Sequence, residues 1–279
     1  MISPLTPADL DDVLAASPQL PSRDTLGPAP AGWVARDDAG GLVGALVDLP
    51  GRAGDGPAGA WFASSERTLV DLYAHAAGPW LQAGLRTHRV VLPAGDPLEP
   101  ALVDLGFGHQ QAFGSARLAD LPVPDDRGVP VRPATRPDLP ALAELVPLVS
   151  RHQGDPPVFA PRTREFFAQL AESLDVFVDT PSLGALLAHE GPEAVGFLLL
   201  EHDGPELEIV LMGTATRQRG RGVGRSLLAA AAAWGAERGV GRVTTDWRTT
   251  NPVAARFWRS SGFVVDAHRW ARTIDPTPV

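Results

Sequence analysis

Arg217-Gln218-Arg219-Gly220-Arg221-Gly222-Val223-Gly224 is the stretch whose reading decides the fold. Ahead of it, Leu207-Glu208-Ile209-Val210-Leu211-Met212 is short, apolar and partly β-branched, which predicts a buried strand. Behind it, Arg225 to Glu237 carries a Leu-Leu pair and five consecutive alanines and predicts a helix. The local expectation is therefore strand, glycine turn, helix. Glycines at alternate positions leave backbone N–H groups unobstructed by a Cβ, so that they can converge at the start of the helix. Unpaired N–H groups and the helix dipole favour an anion there. Arg217, Arg219, Arg221 and Arg225 ring the place and can fork onto phosphate oxygens. The expectation is a phosphate cradle.

Two other cradles do not fit. A Walker loop ends in a Lys, and the chain contains none. A dinucleotide fingerprint follows the first strand and needs an acidic residue about 20 residues on. Here the loop comes late, and that place holds Val243, Thr244 and Thr245.

Downstream, Gly239 precedes a second expected strand, Arg242-Val243-Thr244-Thr245-Asp246-Trp247. Asn251-Pro252 then opens a helix as N-cap and first-turn proline, and Gly262 closes it. With Arg217-Gln218-Arg219-Gly220-Arg221-Gly222 matching a Q/R-x-x-G-x-G/A loop, and Asn251 to Phe263 matching N-x-x-A-x-x-F-[YW]-x-x-x-G-F, the chain resembles the GNAT superfamily of acetyl-CoA-dependent N-acetyltransferases. The resemblance covers roughly residues 129 to 275.

It implies an α/β fold with a mixed, mostly antiparallel twisted sheet flanked by helices, whose strands splay at the cofactor. Acetyl-CoA would be the cosubstrate, with its diphosphate on Gly220, Gly222, Val223 and Gly224 and its arm along Met212-Gly213-Thr214. Gly213 suits a bulge there. Asn251 would bond the cofactor arm, cap its helix, or both. Trp258 would also line the cofactor; it stands where many members carry the Tyr that protonates the departing thiolate, and an indole cannot do so at neutral pH. Glu208 matches the position of a base in several relatives, and desolvation at the strand opening would raise its pKa. Glu206, or no dedicated base, are the alternatives.

His152, near Asp155 in an expected polar loop over Ser150 to Phe159, and Asp246 are acceptor-site candidates. Nothing has metal-ligand spacing, so no metal is expected. His189 and His268 have no partner that sequence can show.

Earlier in the chain, Ser3-Pro4-Leu5-Thr6-Pro7-Ala8-Asp9-Leu10 is echoed by Arg132-Pro133-Ala134-Thr135-Arg136-Pro137-Asp138-Leu139. The hairpin pattern of Gly32 to Leu49 returns at Leu183 to Glu201, and Leu105-Gly106-Phe107 returns as Ser261-Gly262-Phe263. Two tandem copies follow, 1–122 and 129–279, joined by the Pro/Asp-rich Leu121 to Gly128. In the first copy, Ala63-Ser64-Ser65-Glu66-Arg67-Thr68 stands where the glycine loop should be, with a carboxylate in the anion's place. That copy is expected to bind no cofactor. Its Tyr73, the chain's sole tyrosine, is expected in packing.

The 279 residues, 44% hydrophobic and 20% charged, suit a globular chain of one large or two modest domains. Without Cys there is no thiolate nucleophile or disulfide, and without Lys no Schiff base. A net charge of −9 argues against duplex nucleic acid and favours a cationic or amine-bearing partner. No apolar run reaches the length of a membrane span and no signal segment opens the chain, so a cytoplasmic monomer or homodimer is expected. The expected activity is direct acetyl transfer to a primary amine of a small molecule or peptide. The rivals are a non-catalytic acyl-CoA sensor and a scaffold whose arginine loop holds another polyphosphate.

Overall fold

The structure, a computed structural model, describes residues 1–16, 26, 30–49, 58–121, 128–160 and 163–275. Most of the expected joint, 122–127, lies outside the described residues. The chain forms two compact units, Met1–Ala112 with Asp266–Val279, and Phe113–Val265. Among the described residues, no helix is long and apolar enough to cross a membrane.

In the first unit the strands are β1 (Ile2–Pro4), β2 (Gly32–Arg36), β3 (Leu42–Leu49), β4 (Ala58–Ala63) and β5 (Thr87–Pro93), with α1 (Leu10–Ala16), α2 (Glu66–Gln82) and α3 (Glu99–Asp104). They run in order, antiparallel except for the parallel pair β4–β5. The sixth strand beside β5 is β12 (Val264–Thr273), the last of the chain, antiparallel from Ala267↔Pro93 to Thr273↔Thr87. One core gathers Leu69, Tyr73, Ala76 and Trp80 of α2 with Val90 and Leu92 of β5, Leu102 of α3, Phe107, and Trp270 of β12. A second core packs Leu10 and Val13 of α1 on Val34, Ala45 and Val47. Tyr73 lies in packing as expected: its hydroxyl meets His88 Nδ1 at 2.8 Å, both side chains being buried.

The second unit repeats this plan. Its strands are β7 (Val131–Pro133), β8 (Leu183–Glu190), β9 (Glu193–Asp203), β10 (Glu206–Thr214) and β11 (Arg242–Arg248), again antiparallel except for the parallel pair β10–β11. Beside β11 runs β6 (Gly108–Arg117), contributed by the first half of the sequence; its Gly108–Ala112 count with the first unit and its Phe113–Arg117 with the second. Each unit thus includes strand residues from the other half of the chain. The sequence boundaries 1–122 and 129–279 follow the repeat, whereas the division between the spatial units falls within β6 and β12.

Leu183 to Glu201 is apolar almost without alternation because both faces of the second sheet are covered. On one face lie α4 (Leu139–Leu145), α5 (Pro147–Gly154), α6 (Arg164–Glu172) and α7 (Leu174–Asp179), whose Leu142, Leu145 and Leu174 pack on Leu187, Phe197 and Leu199. On the other lies α8 (Val223–Ala236), drawn close by Gly196, where a Cβ would stand 2.7 Å from Val223. The echoed openings are alike: Asp9 and Asp138 each accept from the backbone N–H and hydroxyl of the Thr three residues before.

One local expectation changes. Ser150 to Gly154 belongs to α5, so the expected polar loop is helical over its first half; only Asp155 to Phe159 is irregular. Farther on, Phe177 and Val178 of α7 pack against the core.

Replacing Trp270 by Ala should destabilise the first unit by about 3–5 kcal/mol through a cavity. Hydrogen exchange should show protection lost in Thr87–Pro93 and retained in Glu206–Thr214. Loss appearing first in Glu206–Thr214 would contradict the place of β12 beside β5.

Candidate active site

The β10–β11 ladder runs only from Glu206↔Arg242 to Ile209↔Thr245. Beyond it β10 continues for Val210–Thr214 on β9 alone, and β11 for Asp246–Arg248, so the two strands part. A bulge between Ile209 and Leu211 turns β10 away from the ladder. It falls at Val210, not at the expected Gly213, which keeps its register with Phe197. Gly213 serves a different need: a Cβ there would lie 2.8 Å from both Phe197 and Val149 of α5. At the apex of the opening, the Thr245 hydroxyl donates to the Ile209 carbonyl at 3.2 Å.

From Thr214 the chain turns through Thr216–Gln218 into the glycine loop. Gly220 and Gly222 sit at φ 77° and 86°, the left-handed region that glycine enters without penalty. Gly222 is the N-cap of α8 and offers no side chain to the first turn. Among the described residues, the amides of Gly220, Gly222, Val223, Gly224 and Arg225 have no backbone acceptor. Five donors thus stand open at one helix start, beside the parted strands. Gly224 lies in the first turn of α8, where Phe257 approaches to 3.0 Å of a would-be Cβ, so its lack of a side chain also serves close packing while its amide stays among the open donors.

The four arginines are exposed. Arg217 pairs with Glu193 and Arg221 approaches Glu190 at 3.8 Å, both acids lying at the β8–β9 turn. Gln218, buried, donates to Glu190. Exposed ion pairs are worth about 0–1 kcal/mol. A charge-assisted bond to phosphate contributes about 1.5–3 kcal/mol, so an anion in the cradle can recruit these side chains. Nothing in the sequence around Glu190 and Glu193 signalled this tie.

Asn251 is buried and caps α9 (Pro252–Ser260), accepting from the Ala254 N–H at 3.0 Å, with Pro252 in the first turn. Gly262 ends that helix at φ 94°. Trp258, expected on the cofactor, is instead 6% exposed and packs edge-on against Phe257 and Phe263; a residue filling the space under its helix has little face left for a ligand. Glu208 is half-buried at the last but one rung before the opening, on the sheet face covered by α4 to α7. Glu206, two residues back, pairs with Arg242 at 2.7 Å. Asp246 is the first residue of β11 past the ladder. His152 lies on α5, one turn after Val149, with Nδ1 3.3 Å from Arg219 Nη1 and Nε2 buried without a partner among the described residues. The Thr250 hydroxyl donates to the Val158 carbonyl, tying the segment after α5 to the approach to Asn251. Cradle, opening, Glu208, His152 and Asp246 therefore belong to one region of the second unit.

The model of the Acetyltransferase (GNAT) family matches residues 149–263, which hold every one of these features. Residues 149–263 thus resemble a GNAT acetyltransferase domain, called the GNAT domain below. The fold of the whole chain is similar to a GCN5-related N-acetyltransferase from Sphaerobacter thermophilus, at 16% identity and TM-score 0.66, covering 100% of this chain and 96% of that one. It is similar to one from Kribbella flavida, at 16% identity and TM-score 0.56, covering 96% and 95%. It is also similar to a tandem GNAT protein from the clavulanic acid biosynthesis pathway, at 15% identity and TM-score 0.54, covering 100% and 99%. No curated protein matches the chain. These likenesses show the fold of two GNAT-like units in tandem, and the family match supports acyl transfer in general for the second.

The first unit keeps the opening of a GNAT domain but not its cradle. Its β4–β5 ladder also stops early, after Ala60↔Val91. Yet α2 begins on Ser65, whose hydroxyl accepts from the Thr68 N–H at 3.2 Å, with Glu66 in the first turn. A side chain has taken a donor that α8 of the GNAT domain leaves open.

Burial, then the Arg219 guanidinium, holds His152 below its ordinary value of 6.5. The folded state thus resists the proton that the unfolded chain accepts. The stabilisation from neutral His152 is present above the ordinary value and is lost as pH falls through the folded one. Imidazole NMR should place this titration below 6.5, and Arg219→Gln should move it upward; a titration at or above 6.5 in the parent would refute the contact.

Proposed function

We propose that the GNAT domain transfers acetyl from acetyl-CoA to a primary amine by direct attack, without a covalent enzyme intermediate. One observation carries this reading: five open amides at an α8 start that no side chain caps, next to a strand edge without its ladder partner. The first feature suits a diphosphate. The second suits an extended arm with amides of its own, which a free strand edge can pair. Acetyl-CoA combines both groups with a thioester, which supplies the activated acyl carbon.

In this reading the loop amides and Arg217, Arg219, Arg221 and Arg225 hold the anion, while Met212, Gly213 and Thr214 align the arm. Asn251 keeps its role as helix cap and positions the turn beside the arm. Glu208 takes the proton that the ammonium must lose before it can attack, directly or through water. His152 Nε2 and the Asp246 carboxylate face the acceptor; a carboxylate there suits an amine that arrives charged. No Tyr is offered to the leaving thiolate, which departs at some cost in rate.

That missing acid, with Trp258 withdrawn into packing, favours a second reading in which the domain binds acyl-CoA without turning it over. Release of free thiol from acetyl-CoA across a panel of amines separates the two. Turnover with at least one amine supports the transferase; tight binding without release under any acceptor supports the sensor.

Glu208→Gln should lower kcat about 10²–10⁴-fold, the usual share of a general base, with little change in acetyl-CoA affinity. A loss under twofold would remove Glu208 from the mechanism. Gly222→Val should weaken acetyl-CoA binding tenfold or more in calorimetry, because a β-branched residue resists the left-handed backbone that the cradle needs. Unchanged affinity would move the diphosphate elsewhere.

A further inference from the structure

Away from the GNAT domain, in the first unit, Glu99 of α3, His109 of β6 and His268 of β12 each bring one ligand atom to within 4.8 Å of the others. His268 Nδ1 stands 3.3 Å from Glu99 Oε1. Ligand atoms on a tetrahedral zinc at bond lengths of about 2.0–2.1 Å lie about 3.4 Å apart, so this pair already has the spacing of two ligands on one ion. His109 must close the remainder. It is exposed at its rim and its ring packs at 4.3 Å from His268 and 3.8 Å from Trp270, centroid to centroid, so a small swing over that surface suffices.

The geometry points to a site for one divalent transition cation of the zinc class, held by Glu99 Oε1, an imidazole nitrogen of His109 and His268 Nδ1. Two imidazoles and one carboxylate suit zinc and cobalt, and disfavour magnesium, which seeks an octahedron of oxygens. Three protein ligands leave one coordination position for water. The carboxylate is already oriented from behind, since Glu99 Oε1 also accepts from the Gly95 N–H at 3.2 Å.

The ligands come from a helix, a strand at the end of the first half and the last strand of the chain. A bound ion would clip β12 to the unit that borrows it. Every ligand belongs to the first unit, so the inference stands or falls apart from the transferase reading.

Untagged full-length chain, stripped with a chelator, should be titrated with Co²⁺ while following its visible d–d band, then with Zn²⁺ as competitor. One equivalent of Co²⁺ should give a tetrahedral-type band that Zn²⁺ displaces, and either ion should raise the unfolding midpoint, because only the folded chain assembles the three ligands. Mg²⁺ at the same concentration should do neither. His109→Ala removes an exposed side chain and should keep the metal-free fold, checked by circular dichroism, while lowering Co²⁺ affinity at least tenfold; Glu99→Gln and His268→Ala should do the same. Absence of saturable binding in the parent, unchanged binding in His109→Ala, or equal binding of Mg²⁺ would each overturn the site.

Discussion

The parallel ladder between β10 and β11 stops at Ile209 and Thr245, and the use of the second unit follows from that stop. A strand inside a sheet normally has partners on both sides. Val210–Thr214 keeps β9 on one side and loses β11 on the other, so a row of backbone groups is left for a guest. The bulge at Val210 produces the parting, and Gly213 lets α5 and Phe197 close over the freed segment. The glycine loop then begins only a few residues beyond. Edge and cradle are consecutive in the chain, so one extended ligand can meet both.

A duplication supplies the scaffold, and the copies differ in physical terms. Both parallel ladders stop early, so the opening belongs to the common plan. What separates the copies is how a single helix start is satisfied. In α8 the N-cap is Gly222, left-handed and without a side chain; in α2 it is Ser65, which bonds to its own first turn. A glycine N-cap costs only a few tenths of a kcal/mol against Ser, so the start of α8 can leave its donors open to a ligand at little expense in stability. Strands β6 and β12 bind each unit's stability to residues from the other half of the chain, as Trp270 in the first core illustrates.

Much of this was legible because its signals are local. Asn251-Pro252, Gly262, Gly220 and Gly222 announce their backbone roles within a few residues, and the opening was expected beside Met212-Gly213-Thr214. Other features depend on distant contacts. Gly224 reads only as a third loop glycine until Phe257 is seen against it. The bulge moved from Gly213 to Val210 because packing with Phe197 and Val149, invisible in the sequence, holds Gly213 in register. Ser150 to Gly154 is polar enough for a loop yet folds as the end of α5, whose buried face is set by Val149 and Leu148. The ties of Arg217 and Arg221 to Glu193 and Glu190, and the meeting of Glu99, His109 and His268, join segments that spacing rules never compare.

Backbone amide exchange with and without acetyl-CoA distinguishes an occupied cradle from an idle one. Added protection is expected at Gly220, Gly222, Val223, Gly224 and Arg225 together with the Val210–Thr214 edge, and none at Glu66–Leu69 in the first unit. Binding that leaves those amides as fast as before, or that protects the start of α2 instead, would contradict the cradle.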